Sequence, residues 1–152
     1  MKKLIKNGTL VTAENSFRSD ILIEDEKIIQ IGTEIVDDQA EVIDATGKLV
    51  LPGGIDPHVH LALEMAGTIS SDDYYTGGKA AAFGGTTTVL DFVSQGEGTL
   101  EESVAKHRDF ADSNTSIDYG SHMNITRFDD SVAEQIAGLP ALGITDIKVF
   151  TA

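Results

Sequence analysis

Asp56-Pro57-His58-Val59-His60 is the stretch whose residue types and spacing could carry chemistry. In an extended chain, residues i and i+2 share a face. His58 and His60 would then stand side by side, about 6.6 Å apart along a strand. Two neutral imidazoles at a strand end can share one divalent metal ion. The pair also fits two ordinary histidines at a strand end, because His-x-His is a short pattern. Lys148, between Ile147 and Val149, is the second candidate. Alternation places Asp146, Lys148 and Phe150 on one face, and Ile147, Val149 and Thr151 on the other. A lysine turned into a protein interior is costly unless it is paired or neutralised. One chemical escape is capture of CO2 by the amine, which turns a cation into an anionic carbamate able to bridge two metals. The alternative is an ammonium that reaches water along its own stem.

Three other positions are weaker. His107 lies among charged residues of an expected helix and should face solvent. His122 falls on an expected strand, where it serves packing or points inward. Asp91 lies near a strand end, placed to hydrogen-bond a ligand or a neighbouring loop. No Ser-His-Asp arrangement is defensible. The chain has no cysteine, which excludes disulfides, thiolate zinc sites and cysteine nucleophiles.

Positioning these residues requires two kinds of structure. Residues 1–51 read as short strands of a small sheet or sandwich: Lys3–Val11, Asp20–Glu24, Lys27–Gly32 and Glu41–Asp44, punctuated by Asn7-Gly8, Asp25-Glu26 and Gly47. After Pro52 the pattern alternates. Strands are expected at 54–60, 86–92, 117–125 and 144–150, and helices at 72–83, 99–111 and 129–139. Thr99 with Glu102 spells a capping box. Strands alternating with helices of this length imply a parallel sheet with helical crossovers. No glycine fingerprint for a dinucleotide follows a strand, since Gly84-Gly85 precedes one. The reading is therefore α/β: the first four strands of a (β/α)8 TIM-type barrel in residues 52–152, preceded by strands of a small β-sandwich domain in 1–51. A full barrel needs about 250 residues, so the chain reads as part of a longer protein.

The bulk numbers exclude some partners. The net charge is −14, with only 11 lysines and arginines, which disfavours nucleic acid and anionic membranes. No run approaches the roughly 18 apolar residues of a membrane span, and Lys6-Asn7-Gly8 breaks the N-terminal apolar stretch, unlike a signal peptide. The expected location is cytoplasmic.

Taken together, the motifs are similar to a known family. Leu51-Pro52-Gly53-Gly54-Ile55-Asp56-Pro57-His58-Val59-His60-Leu61 and Ile5-Lys6-Asn7-Gly8-Thr9-Leu10-Val11 resemble the cyclic amidohydrolases. The segments Ala80–Thr88, Ile117–Gly120 and Gly143–Phe150 resemble the hydantoinase/dihydropyrimidinase branch. The likeness runs in order along nearly the whole chain and implies an N-terminal third. It implies two divalent metals, zinc by expectation, with His58 and His60 on the more buried one. Lys148 would be the carboxylated bridging ligand. The remaining metal-binding histidines and the aspartate general base would come from later strands, so no catalytic base lies in this chain, which alone would be inactive. The implied reaction is hydrolytic opening of cyclic amides, hydantoins or 5,6-dihydropyrimidines, to N-carbamoyl amino acids. The resemblance also implies a homotetramer. In the segment Leu61–Gly67, Leu63 and Met65 suit a pocket for the ring substituent. The segment lacks the arginine expected to grip a substrate carboxylate in dihydroorotases; dihydroorotase and allantoinase are the alternative enzymes. Ala62 and Glu64 depart from the Asp and Pro of bacterial D-hydantoinases. A non-catalytic fragment or scaffold-type relative is the remaining alternative. Retention of His58, His60 and Lys148 argues against the scaffold.

Overall fold

Leu4 on one strand, Leu22 on the next and Ile35 from a connecting loop form the buried centre of the N-terminal segment. In the computed structural model, which describes residues 1–65 and 67–150, the chain divides into two compact units, Met1–Pro52 and Gly53–Ala152. The first is a five-stranded sheet. Its strands are β1 (Lys2–Val11), β2 (Ser16–Glu24), β3 (Lys27–Gly32), β4 (Glu41–Asp44) and β5 (Leu49–Val50). The order is β3-β2-β1-β4, with β5 also on β1. β1 runs antiparallel to β2 and parallel to β4 and β5. The β1–β2 register shifts between Ile5 and Gly8, where Asn7 takes a positive φ of 65°. Buried Asp20 answers that irregularity. Its carboxylate accepts from Asn7 N at 2.9 Å and from Ile35 N at 3.1 Å. Asp20→Ala would leave two amides without their acceptor, so this unit should lose about 1–3 kcal/mol. Amide hydrogen exchange at Leu4 and Leu22 is the measurement, and unchanged protection would contradict the assignment.

The second unit builds the parallel sheet. Its elements are β6 (Gly54–Asp56), β7 (Glu64–Met65), β8 (Thr68–Ile69), α1 (Tyr74–Phe83), β9 (Thr86–Ser94), α2 (Leu100–Asp112), β10 (Asp118–Ile125), α3 (Asp130–Ile136), a 3-10 turn at Leu139–Leu142, and β11 (Ile147–Val149). The sheet order is β11-β10-β9-β6, every neighbouring pair is parallel, and α1, α2 and α3 are the crossovers. Spatial order follows chain order without a reversal. A doubly wound sheet reverses its strand order and a barrel does not. The short β7–β8 hairpin was not anticipated.

The helices begin where local chemistry dictates. Thr99 accepts from Glu102 N, and Glu102 returns a carboxylate to Thr99 N, which completes the capping box. Glu101 and Glu102 also place negative charge in the first turn, where the helix dipole favours it. α1 starts two residues later than expected, because Asp73 caps it. It ends at Gly84. Gly85 adopts a left-handed φ of 88°, and its carbonyl accepts from Gly54 N at 2.8 Å. The helix stop is thus fastened to the first residue of β6. Gly77 within α1 makes room for Leu61, whose Cδ2 would lie 2.6 Å from any added Cβ.

Val93, Leu100, Val104, Met123, Ile125, Val132, Leu139 and Ile144 form the core of this unit. They come from one face of β9 and β10, from the helices and the 3-10 turn, and from the loop at Ile144, so that face is the helix-covered one. In the parallel register, Met123 lies beside Ile147 and Asn124 beside Lys148. Lys148 therefore belongs to the opposite face, as the alternation implied. Thr151 lies outside the described residues. Among the described residues, no helix is long and apolar enough to cross a membrane.

Candidate metal centre

The strand expected to carry His58 and His60 stops at Asp56, so the two histidines do not sit in an extended ladder. Asp56 diverts the chain: its carboxylate accepts from His58 N at 3.1 Å, a local turn that competes with strand pairing. The departing segment is pinned elsewhere. Val59 N donates to Leu90 O at 3.0 Å, and Leu61 N reaches Asp91 Oδ2 at 3.4 Å. The two rings nevertheless end side by side. Their centroids are 5.3 Å apart and their planes nearly perpendicular.

Phe92 gathers the site. Its ring lies 4.7 Å from His58, 4.9 Å from His60 and 4.9 Å from His122, centroid to centroid. Lys148 Nζ stands 4.2 Å above the same ring and 5.3 Å from that of Phe150. As an ammonium it has a cation–π seat there. Partial desolvation lowers the His60 pKa, and the Lys148 charge adds to this against the Asp91 carboxylate. A neutral imidazole is the form that offers a lone pair to a metal. Phe92 was missed because Asp91 drew attention on the same strand. Alternation along 86–94 was the available signal: adjacent residues point to opposite faces, and Phe92 shares the face of His122.

His122, read as packing or inward-pointing, does both. Its ring packs on Phe92, Nδ1 bonds the Asp146 carboxylate, and Nε2–H donates to the Pro57 carbonyl at 2.9 Å. Burial alone would lower its pKa, but the Pro57 carbonyl and Asp146 together hold it above the ordinary value. Asp91 turns toward the helices. It is buried, accepts from the Tyr74 hydroxyl at 2.9 Å, and reaches the loop at Leu61. Burial, then the Asp91 charge, holds the Tyr74 hydroxyl far above the usual phenol range.

His107 does not project freely into solvent as expected. It is half-buried, and its Nε2 lies 2.8 Å from the Tyr74 hydroxyl. A mid-helix histidine among charges looks exposed until the partner helix is placed beside it. Burial lowers its pKa, opposed by Asp91 and assisted by Arg108. The unfolded value is about 6.5, so between the two values the unfolded chain binds more protons. The stability this contributes is complete above about pH 6.5 and fades as the pH falls below it. The difference in unfolding free energy between the native protein and His107→Gln should therefore shrink from pH 7.5 to pH 5.5. Urea titrations followed by tyrosine fluorescence would check this. A difference that stays constant or grows would refute it.

Leu63 and Met65 flank the start of the hairpin. Leu63 exchanges hydrogen bonds with Ser70, and Met65 is exposed beside a shallow concavity shared with Thr68 and Ile69.

A parallel, helix-crossed sheet with two histidines and a lysine converging on its helix-free face defines the class: an α/β protein with a polar site at its strand ends. No family model matches the chain. It is 47% identical over 154 residues to D-hydantoinase of Geobacillus stearothermophilus, covering 100% of this chain and 33% of that protein. It is 40% identical over 156 residues to dihydropyrimidinase 2 of Caenorhabditis briggsae, covering 100% of this chain and 30% of the relative. The crystal structure of dihydropyrimidinase from Brevibacillus agri matches with a TM-score of 0.95 and 46% identity, over 100% of this chain and 33% of that one. The chain thus spans about a third of the length of the curated relatives it matches. Over its whole length the chain is similar to the N-terminal third of D-hydantoinases and dihydropyrimidinases.

Proposed function

We propose that this chain forms the first half of the barrel of a metal-dependent hydrolase that opens hydantoins or dihydropyrimidines. The observation that carries the reading is the convergence of His58, His60 and Lys148 on one face around Phe92. The donor chemistry fits a divalent metal. Two imidazoles stand edge to face, and an amine that can become a carbamate lies on the same ring. Among the described residues, no three His, Cys, Asp or Glu side chains gather at metal-binding distance. Within this chain, the resemblance makes Lys148 the third donor. A divalent metal bound here would supply positive charge that polarises a ring carbonyl and acidifies a water.

The residues of the chain have separable roles. His58 and His60 present lone pairs from a turn fixed by Asp56 and β9. Lys148 would bring negative charge from β11 once carboxylated. Leu63 and Met65 would face the substituent of the ring substrate. Zinc suits the nitrogen donors. The uninterrupted strand order supports a barrel completed by further strands. Exposed Ile28, Ile31 and Ile43, which the register sets on one face, support a further sheet over the N-terminal unit. The relatives' names supply the substrate class, D-hydantoinase and dihydropyrimidinase.

The test combines divalent metal content per chain with ring opening of hydantoin, dihydrouracil, allantoin and dihydroorotate, on one preparation of the whole protein. About two metals per chain, with fastest turnover of hydantoin or dihydrouracil, is the expected result. Fastest turnover of dihydroorotate or allantoin would move the protein to another cyclic amidohydrolase. Metal-free, inactive protein after addition of zinc and bicarbonate would end the hydrolase reading.

A further inference from the structure

We propose that His122 is a positioning residue of this centre: its ring ties the turn that carries His58 and His60 to the strand that carries Lys148. The inference rests on the metal-centre reading above. β10 lies between β9 and β11, so its side chains can reach both neighbours. On one side, Nε2–H donates to the carbonyl of Pro57, the residue before His58, at 2.9 Å. On the other side, Nδ1 bonds the carboxylate of Asp146, two residues before Lys148. The side chain is only 17% exposed, and its ring packs tilted against Phe92 (35° between planes, 4.9 Å). His122 thus touches the ring that also seats His58, His60 and Lys148.

Both donor groups need such a tie. The His58–His60 segment has left the ladder after Asp56 and is held by single bonds. β11 is three residues long and pairs with β10. A shift of either piece would spread the donors, and one imidazole bonded to both fixes their separation. Its hydrogen-bond directions are rigid, so it sets distance and angle together. Phe92 also meets both groups, but stacking tolerates sliding where a hydrogen bond does not.

Two variants test the assignment in the whole protein. His122→Phe keeps an aromatic ring against Phe92 and removes both hydrogen bonds. Asp146→Asn keeps the imidazole and weakens one arm. Amide hydrogen exchange at Val59, Lys148 and Val149 reads the restraint without any metal. Cobalt(II) alone, titrated against a chelator, reads the centre, and amide exchange at Met123 controls for folding. In His122→Phe, exchange should rise about tenfold in both segments while Met123 stays protected, the pattern of a local opening. Cobalt affinity should fall about 10–100-fold, with a changed visible spectrum of the bound ion, as for other partners that orient metal ligands. Asp146→Asn should loosen only Lys148 and Val149 and weaken cobalt binding less. Unchanged exchange and affinity in His122→Phe would overturn the role of His122 and leave the metal reading standing. A native protein that binds no cobalt would overturn the metal reading, and with it this role. If His122→Phe fails to fold, Asp146→Asn decides: unaltered exchange at Lys148 and unaltered affinity overturn the proposal.

Discussion

Met123→Ala should lower the unfolding free energy of the Gly53–Ala152 unit by about 3–4 kcal/mol, the middle of the range for truncating a fully buried methionine. Met123 is 0% exposed and sits on β10 at the middle of the parallel sheet. Around it lie Val93 from β9, Leu100 and Val104 from α2, Val132 from α3, and Ile144. Three further elements and the loop at Ile144 therefore share one buried cluster with this side chain, and none of the three can move inward without dragging a strand or a helix. A cavity there stays open, so the cost combines lost transfer energy with lost packing. Met123→Leu, which nearly conserves volume, should cost less than about 1.5 kcal/mol. Urea unfolding followed by tyrosine fluorescence suits the measurement, because all three tyrosines, Tyr74, Tyr75 and Tyr119, belong to this unit. Equal, small losses for both variants would mean that the helices do not close on this face as described. The substitution also reaches the candidate centre. His122 and Asn124 flank Met123 on the other face of the sheet. A strand that sinks toward a cavity takes His122 with it.

Much of this architecture was legible because its signals are local. Thr99 and Glu102 are three residues apart and satisfy each other's backbone, so the start of α2 needs no tertiary information. The strands over Lys27–Gly32 and Glu41–Asp44 carry the expected bounds for the same reason. Alternation grouped Lys148 with Asp146 and Phe150, because strand geometry has period two whatever lies opposite; which face meets the helices followed from the register. Reading failed at one local turn and wherever a non-local partner decides. The strand predicted over residues 54–60 ends at Asp56, since the Asp56 carboxylate offers His58 N a closer acceptor than a neighbouring strand does. The pairing of His58 with His60 survived on different grounds: a pinned turn, not a pleat, holds the rings together. Phe92 and His122 acquire meaning only from the register that sets them side by side across β9 and β10. No spacing within either segment contains that register. His107 looked exposed because the Tyr74 hydroxyl that receives it lies 33 residues away on another helix. The β7–β8 hairpin has two residues per strand, too few to show any periodicity.

Lys148→Met should abolish tight divalent metal binding at the candidate centre. The loss should be at least about 100-fold, beyond the 10–100-fold typical of outer-shell partners. Methionine keeps an unbranched apolar stem one atom shorter than lysine, so packing over Phe92 largely survives and the change isolates the amine. In the proposed form the neutral ε-amine of Lys148 adds to CO2, forming an N–C bond. The nitrogen loses a proton to solvent and a carboxylate results. Starting from the ammonium, two protons leave and the charge changes from +1 to −1. The ammonium itself cannot ligate a cation and repels it, whereas the carbamate offers two oxygens. The ammonium already has a seat over Phe92 at 4.2 Å and no compelled reason to leave it. Bicarbonate and metal should therefore act together: each stabilises the form of Lys148 that the other needs, so omitting either should weaken binding of its partner. The measurement is metal content after equilibration with zinc, with and without bicarbonate, alongside carbon-13 NMR in labelled bicarbonate. Native protein should show a carbamate carbon resonance that rises with metal occupancy, and Lys148→Met should show neither signal nor metal. Lys148→Glu, which supplies a carboxylate without CO2, should retain partial binding that bicarbonate no longer affects. Full metal occupancy in Lys148→Met would place the ligands elsewhere and return Lys148 to an ordinary cation resting on an aromatic ring.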